Sequence, residues 1–196
     1  MSRIEFVPAI LRKPSGPIKQ KLLSRVAPTG VERSFAETDI IVSKTDAKGV
    51  MTYANRVFLD MVGLSEREVI GAPHSILRHP DMPRAVFALM WERLNAGREI
   101  FAYVVNLAAN GDHYWVHAHV TPTFGANGQI LGFHSNRRVP DRAAVQKIEP
   151  IYRTLKGIED GDASRAEGLA RSCAHLKSIL AQAGMTYDQF VFSLAS

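Results

Sequence analysis

A long β-hairpin is the feature that most limits how this chain can fold. Residues 99–107 and 113–121 are rich in β-branched and aromatic side chains, and between them lies Asn110-Gly111, a pair favoured in tight β-turns. Successive side chains of a strand point to opposite faces of a sheet, so Trp115, His117 and His119 share one face of the hairpin. The sequence therefore predicts two long antiparallel strands here.

Shorter elements surround this hairpin. Residues 39–45 and 50–53 have the composition of two strands joined by a turn, and residues 129–138 form a last strand after another turn. Between them, the apolar spacing of residues 54–62 predicts a helix that ends at Gly63, and Ser65 to Glu68 is a capping-box pattern. This order predicts an α+β fold, a five-stranded antiparallel sheet with short helices on one face.

The stretch from Leu77 to Trp91 carries the most chemistry. Pro80 is surrounded by three ionisable side chains: Arg78, His79 and Asp81. Pro83 suits the start of a helix, and an apolar stripe at helical spacing follows, formed by Val86, Phe87, Met90, Trp91 and Leu94. The residues alone allow two interpretations: a capped loop that leads into a core helix, or a phosphate-binding helix mouth with Trp91 against a flat ring.

Three segments of the chain resemble the PAS domain of bacterial aerotaxis receptors, which bind FAD. The first combines Gly71-Ala-Pro-His, Arg78-His-Pro-Asp-Met-Pro and Phe87-Ala-Leu-Met-Trp; the second is Asn110-Gly-Asp-His-Tyr-Trp-Val; the third runs from Val145 to Leu155 and contains Glu149-Pro-Ile-Tyr. The resemblance covers residues 39–157. It implies a PAS fold, non-covalent FAD as cofactor, and a sensor that reports redox or oxygen state to a partner protein.

The same resemblance implies a set of FAD-binding residues. They are Asn55, Arg78, His79, Asp81, Phe87, Trp91 and Asn106, with Ser135 and Arg137 matching the family pattern on the last strand. It also implies that the cavity is faced by Tyr114, Val116, Ala118 and Val120, and that the Asn106 amide reaches a flavin ring edge. Arg78 suits a phosphate or ribityl oxygen and Trp91 suits a ring contact, whereas Asp81 would orient His79 or Arg78.

Charge and composition divide the chain into three parts. Residues 1–34 contain seven Lys or Arg and two Glu, so this basic N-terminal extension accounts for the whole formal net charge of +5. We expect it to be mostly irregular, with one or two helical turns around residues 18–26. Residues 35–139 form the predicted PAS domain, and residues 140–196 form a helical C-terminal segment.

Local patterns predict the helices of the C-terminal segment. Asp141 is placed as an N-cap of the first helix, which Pro150 would kink and which Gly157 to Gly161 would break. An apolar 3-4-3-4 stripe from Ala166 to Leu180 predicts the second helix, and a capping box at Thr186 opens the last apolar turn.

Several classes of protein are disfavoured. A single cysteine, Cys173, excludes an internal disulfide and a cysteine-based zinc cluster, and it fits a cytoplasmic protein. No apolar run approaches the ~20 residues that span a bilayer, and the first residues lack a signal-peptide pattern. The spread charge of the extension favours a solvated segment over a nucleic-acid contact. No nucleophile motif, glycine-rich phosphate loop or catalytic carboxylate pair indicates an enzyme.

Three alternatives remain open at this point. His74 or His79 could serve as the axial ligand of a haem. His113, His117 and His119 could chelate a metal from the hairpin face that is turned away from the helices. A PAS scaffold with an empty pocket could act only in protein interaction and dimerisation. A light-oxygen-voltage sensor is disfavoured, because such proteins need a cysteine near the flavin where this chain has His74.

The outer face of the hairpin also raises the question of assembly. An isolated sheet rarely leaves a tryptophan exposed to water, so Trp115 requires a cover. We expect the N-terminal extension or a second subunit to supply it, with the stripe from Ala166 to Leu180 packing nearby. This expectation predicts a homodimer built from the outer face and the flanking segments.

Overall fold

One antiparallel sheet organises the part of the chain that the computed structural model describes, residues 26–195. Its strands are β1 (Ile41–Asp46), β2 (Met51–Ala54), β3 (Ile100–Leu107), β4 (His113–Phe124) and β5 (Ile130–Arg138). Their order across the sheet is β2-β1-β5-β4-β3. The predicted hairpin is confirmed, since Asn106 pairs with Tyr114 and Ile100 pairs with Val120.

Short helices lie between β2 and β3. They are α1 (Arg56–Val62), α2 (Glu66–Val69), a single 3₁₀ turn (His74–Leu77) and α3 (Arg84–Asn95). Helix α1 ends at Gly63, whose φ of 71° is a left-handed conformation that glycine adopts without steric cost. The capping box of Ser65 and Glu68 is present at the start of α2. Pro83 is the N-cap of α3 and not its first helical residue.

The alternation of β4 builds the core. Its inner face buries Tyr114, Val116, Ala118 and Val120. The resemblance implies that all four face a cavity; Ala118 and Val120 line one, and Tyr114 and Val116 do not. From the opposite side, α3 buries Val86, Met90, Trp91 and Leu94. Each large apolar side chain buried in this way contributes ~1.5–3 kcal/mol, so the contact between the sheet and α3 stabilises the domain.

Three helices follow the sheet: α4 (Arg142–Gly161), α5 (Arg165–Ala183) and α6 (Tyr187–Ser193). The predicted caps are confirmed, because Asp141 Oδ1 accepts a hydrogen bond from Ala144 N at 2.9 Å and Thr186 opens α6 with a capping box. The predicted break from Gly157 to Gly161 is wrong, since α4 continues to Gly161. The buried face of α4, with Ile148, Tyr152 and Leu155, outweighs the weak helix propensity of glycine.

The outer face of the sheet is covered by these C-terminal helices. The Tyr152 ring stacks on Trp115 with 6.1 Å between centroids, and its hydroxyl donates to Tyr103 O at 2.7 Å. From α6, Phe192 contacts Phe101 at 4.9 Å between centroids. Trp115 therefore needs neither the N-terminal extension nor a second subunit as its cover, and that expectation was wrong. The homodimer stays a prediction.

Residues 26–33 run along the hairpin turn instead. Thr29 N donates to Gly111 O at 2.8 Å, and Arg33 N donates to His113 O at 2.8 Å. The helical turns expected around residues 18–26 lie outside the described residues, apart from Val26. In the described range, no helix combines the length and the apolar character needed to cross a membrane.

Helices α4 and α5 approach each other closely at Gly168. A Cβ atom on Gly168 would lie 2.6 Å from the carbonyl oxygen of Glu159, which is closer than real Cβ atoms come to backbone. One helical turn later, Ser172 Oγ donates to Leu155 O at 3.2 Å. Small side chains at these two positions therefore set the distance between the helices.

Replacing Gly168 with alanine tests this contact. Gly168→Ala should lower the free energy of unfolding by ~1–3 kcal/mol, because the added methyl group forces the helices apart. Gly157→Ala is the matched control, since the space around Gly157 is open. It should leave stability unchanged or raise it by ~0.5–1 kcal/mol through better helix propensity. Urea unfolding followed by circular dichroism measures the free energy of unfolding of both variants. Equal changes in the two variants would contradict a close contact between α4 and α5 at Gly168.

Candidate functional site

A cavity lies between the inner face of the sheet, α3 and the 3₁₀ turn. It encloses about 850 Å³ of space not filled by atoms, including its opening to solvent. Concave sites between packed elements are where proteins usually bind small molecules, so this cavity is the candidate ligand site.

Helix α3 forms the apolar wall of this cavity. Phe87, Met90, Trp91 and Leu94 line it at the helical spacing seen in the sequence. The Trp91 ring packs edge-to-face on Phe133 of β5, with 5.1 Å between centroids and an interplanar angle of 85°. Two of the predicted ligand residues, Phe87 and Trp91, thus lie at the cavity, and both also take part in core packing.

The three long strands supply the opposite wall. Val104 and Asn106 come from β3, Ala118 and Val120 come from β4, and Phe133, Ser135 and Arg137 come from β5. The predicted inward direction of Asn106 agrees with this geometry, and Ser135 and Arg137, which match the family pattern, lie on the same wall. All three are buried polar residues, with at most 7% of their surface exposed. The sheet therefore presents a polar patch to a mostly apolar cavity.

Several polar atoms at the cavity have no hydrogen-bond partner among the described residues. They are Arg78 Nε and Nη2, Trp91 Nε1, Ser135 Oγ and Arg137 Nη1. Each such buried group costs ~1–3 kcal/mol relative to a satisfied one. These groups belong to residues of α3, β5 and the segment after the 3₁₀ turn, and all of these residues line the same cavity. The arrangement suits a ligand that carries several hydrogen-bond acceptors.

Arg78 occupies the end of the cavity near the start of α3. Its guanidinium lies over the Phe87 ring, 4.2 Å from the centroid, and its backbone forms a bridge with Asn106 of β3. Burial lowers the pKa of Arg78 to about 10, and the nearby positive charges of Arg165 and Arg84 act in the same direction. Arg78 is therefore still charged near neutral pH, and an anionic or acceptor group in the cavity would be attracted to it.

A second buried guanidinium is held on the sheet. Arg137 Nη2 donates to Ser43 Oγ at 2.9 Å and to His74 Nε2 at 2.5 Å. Burial, and to a smaller extent the charge of Arg137, lowers the pKa of His74 to about 3. His74 is therefore neutral near pH 7, and its Nε2 is the acceptor that fixes the Arg137 side chain. The other terminal guanidinium nitrogen, Nη1, is buried and has no hydrogen-bond partner among the described residues.

Three of the predicted ligand residues do not line the cavity. Asn55 is the N-cap of α1: its Oδ1 accepts from Phe58 N and Val42 N, and its Nδ2 donates to Ile40 O. His79 Nδ1 accepts from Asp81 N at 3.2 Å, and the Asp81 side chain is exposed. The position of Asn55 just before a helical pattern is the sequence signal that could have identified it as a cap.

Sequence reasoning missed Ser43, which lines the cavity and holds Arg137. Ser43 reaches this place because β1 pairs with β5, where it lies opposite Ser135. No local pattern in residues 39–45 distinguishes this serine from a solvent-facing one. Only the order of the strands brings it to the cavity.

The histidines considered as metal or haem ligands have other partners. On the outer face, the His119 ring stacks on Phe101 with 4.2 Å between centroids, and its Nε2 lies 2.7 Å from Glu99 Oε2. The His117 ring stacks on Tyr103 with 4.9 Å between centroids. In the cavity, the His74 nitrogen that would bind a haem iron is hydrogen-bonded to Arg137.

Comparison with known proteins agrees with this architecture. Residues 32–136 match the family model described as the PAS fold. The chain is 38% identical over 121 residues to the aerotaxis receptor of Escherichia coli (strain K12), which corresponds to 62% of this chain and 24% of that protein. It is 29% identical over 100 residues to phototropin-2 of Oryza sativa subsp. japonica, 51% of this chain and 11% of that protein. The chain thus spans a quarter or less of these relatives.

Two solved structures are similar in fold. The dark structure of the blue-light photoreceptor Aureochrome1 LOV has a TM-score of 0.48 and 21% sequence identity, covering 61% of this chain and 86% of that one. The PAS domain of a protein from Colwellia psychrerythraea has a TM-score of 0.47 and 22% identity, covering 52% of this chain and 86% of that one. From the match over residues 32–136, more than half of its length, the chain belongs to the PAS family, and its PAS domain resembles that of the aerotaxis receptor.

Proposed function

We propose that this PAS domain binds FAD non-covalently in the cavity and acts as a sensor. In this proposal it reports redox or oxygen state to a partner protein and catalyses no reaction itself. The observation that carries the proposal is that Arg78, Trp91 and Arg137 line one apolar-walled cavity and each has a buried donor without a partner among the described residues.

The chemistry of a flavin fits this donor set. One edge of its ring system presents carbonyl oxygens and ring nitrogens that accept hydrogen bonds, its ribityl and phosphate groups add more acceptors, and the ring faces are flat and apolar. Arg137, Ser135 and Asn106 would bind the polar ring edge, Arg78 would bind an anionic or ribityl oxygen, and Trp91 would contact the ring. The likeness to the aerotaxis receptor, at 38% identity, favours the same ligand class.

Light sensing through a cysteine is not part of the proposal, although some relatives are named for blue-light activation. The only cysteine, Cys173, lies on α5 and does not line the cavity. By resemblance, His74 stands where light-oxygen-voltage sensors carry their cysteine, and His74 lines the cavity. A free thiol fits a reducing compartment, and we propose the cytoplasm as the location.

A bound FAD would supply a ring that gains and loses electrons together with protons. The chain's own residues would read that change. The Asn106 amide can both donate and accept, so it can reverse its hydrogen bond when the protonation of its partner changes. Asn106 lies on β3, and the carbonyl of Tyr103 on the same strand accepts the Tyr152 hydroxyl of α4 at 2.7 Å. A shift of β3 would therefore reach the C-terminal helices directly.

The cavity and its buried residues allow three further predictions, of which the first concerns the cofactor itself. Purified protein should be yellow, with flavin absorbance bands, and should release FAD on denaturation. Arg78→Ala should lose most of the FAD, because it removes the charged donor, whereas Arg67→Ala on the exposed surface of α2 should retain it. Trp91→Ala should also lose FAD, together with ~3–5 kcal/mol of stability. Colourless protein that cannot be reconstituted would leave an interaction module as the better interpretation, and a Soret band would indicate haem.

The second prediction concerns Asn106. Asn106→Ala should fold but bind FAD roughly tenfold more weakly, the effect of one lost hydrogen bond in a buried site. Any conformational change that reduction causes in wild-type protein should be lost or reduced. Asn127→Ala, in the exposed turn between β4 and β5, serves as the control. Titration of FAD followed by fluorescence, with limited proteolysis of the oxidised and reduced forms, measures both effects; a variant identical to wild type would exclude Asn106 as the reader.

The third prediction follows from the neutral state of His74. Its pKa of about 3 in the folded protein lies below the ordinary value of 6.5, so the unfolded chain takes up the proton first as pH falls. This contribution to stability is fully present above pH ~6.5 and is lost progressively as pH falls towards 3, by about 2 kcal/mol between pH 7 and pH 5. His74→Gln keeps an acceptor for Arg137 but cannot take up this proton. Its free energy of unfolding should therefore fall by about 2 kcal/mol less than that of wild type between pH 7 and pH 5. Urea unfolding at pH 7 and pH 5 measures the free energy of unfolding of both proteins. If that free energy falls by the same amount in wild type and His74→Gln, His74 does not titrate in this way.

A further inference from the structure

A carboxylate from the C-terminal segment binds the start of the cavity helix. Glu159 of α4 accepts hydrogen bonds from the backbone of Arg84 and Ala85, each at 2.9 Å, and from Arg84 Nε at 3.0 Å. Its side chain is completely buried. Two of the unpaired N–H groups in the first turn of α3 are thereby satisfied, and the negative charge lies at the positive end of the helix dipole.

This carboxylate compensates more than one cation. Arg84 Nη1 donates to the carbonyl of Arg165, which holds the start of α5 beside the start of α3. Arg78 lies close enough for Arg84 and Arg165 to lower its pKa and for Glu159 to raise it. The same Arg78 lines the cavity and has two nitrogens without a partner among residues 26–195. Glu159 is thus the internal counter-ion of an arginine cluster that reaches into the cavity.

We propose that Glu159 competes with the anionic part of the cavity ligand for this arginine cluster, so that binding of an anionic ligand loosens the C-terminal helices. The inference deepens the proposed function and rests on it for the identity of the ligand. It assigns the C-terminal segment, which lies beyond the residues matched by the family model, a role as the element that responds to the cavity.

The physical reason is electrostatic. A ligand anion at Arg78 and the carboxylate of Glu159 are attracted to the same cations, and as like charges in a poorly hydrated region they repel each other. The hold of Glu159 on α3 is weaker when the anion is present. Because α4 also carries Tyr152, which covers Trp115, loosening α4 would expose the outer face of the sheet. The coupling is reciprocal, so a change that weakens the interaction of Glu159 with the arginine cluster should raise the affinity for the anionic ligand.

Glu159→Gln separates this competition from a purely structural role, because it removes the charge and keeps the shape. The affinities of wild type and variant are measured for FMN and for riboflavin, which share the ring and differ by a phosphate. Competition predicts that the ratio of FMN affinity to riboflavin affinity rises roughly three- to tenfold in Glu159→Gln. Glu149→Gln, at an exposed position of the same helix, should leave the ratio unchanged.

Hydrogen exchange tests the response of the C-terminal helices. Exchange in α5 should be roughly ten- to hundredfold faster in Glu159→Gln than in wild type, the effect of losing a buried charged hydrogen-bonding group. In wild-type protein, saturation with FMN should speed exchange in α5 more than saturation with riboflavin.

The possible outcomes are distinct. If both flavins bind more weakly to Glu159→Gln by the same factor, Glu159 is only a structural cap and the proposal is overturned. The proposal is also overturned if hydrogen exchange in α5 of the wild-type protein is equally fast with FMN bound and with riboflavin bound. If wild-type protein binds neither flavin, the proposed function fails. Hydrogen exchange of α5 in Glu159→Gln then shows whether the charge of Glu159 stabilises the C-terminal helices. Exchange at the wild-type rate would overturn this role of Glu159 as well.

Discussion

The burial of Arg137 on the inner face of the sheet is the interaction on which the cavity depends. Its guanidinium ties together β5, β1 through Ser43, and the 3₁₀ turn through His74. A buried charge without such partners would cost several kcal/mol, so these contacts restrict which side chains can occupy neighbouring positions. The same side chain lines the cavity, and its Nη1 has no hydrogen-bond partner among the described residues.

The C-terminal helices make the PAS domain a larger unit than its sheet and helices alone. Helix α4 covers the outer face through Tyr152, and its last turns carry Glu159 to the start of α3 on the other side of the sheet. Helix α6 returns to β3, and Asp188 pairs with Arg93 of α3 at 2.5 Å. The segment therefore contacts the edge strand β3 through Tyr152 of α4 and Phe192 of α6. The same contacts connect both faces of the sheet to the cavity helix.

The local features of the fold could be predicted because they depend on neighbours within one turn. The hairpin, the caps at Asp141 and Thr186, and the apolar stripe of α3 all follow from residue spacing. The helix through Gly157 could not be predicted in this way. Its glycines disfavour helix locally, and only packing of the buried face against the sheet and α5 compensates for them.

For the candidate site, the sequence by itself determined which side chains have suitable chemistry, and six of the nine residues implied by resemblance line the cavity. The other three do not line it. Asn55 and His79 already make hydrogen bonds to nearby backbone groups, and the Asp81 side chain is exposed. The tertiary structure alone decided that Ser43 meets Arg137 and that Glu159 caps a helix 75 positions earlier in the chain. Such contacts depend on strand order and helix packing, which no short stretch of sequence encodes.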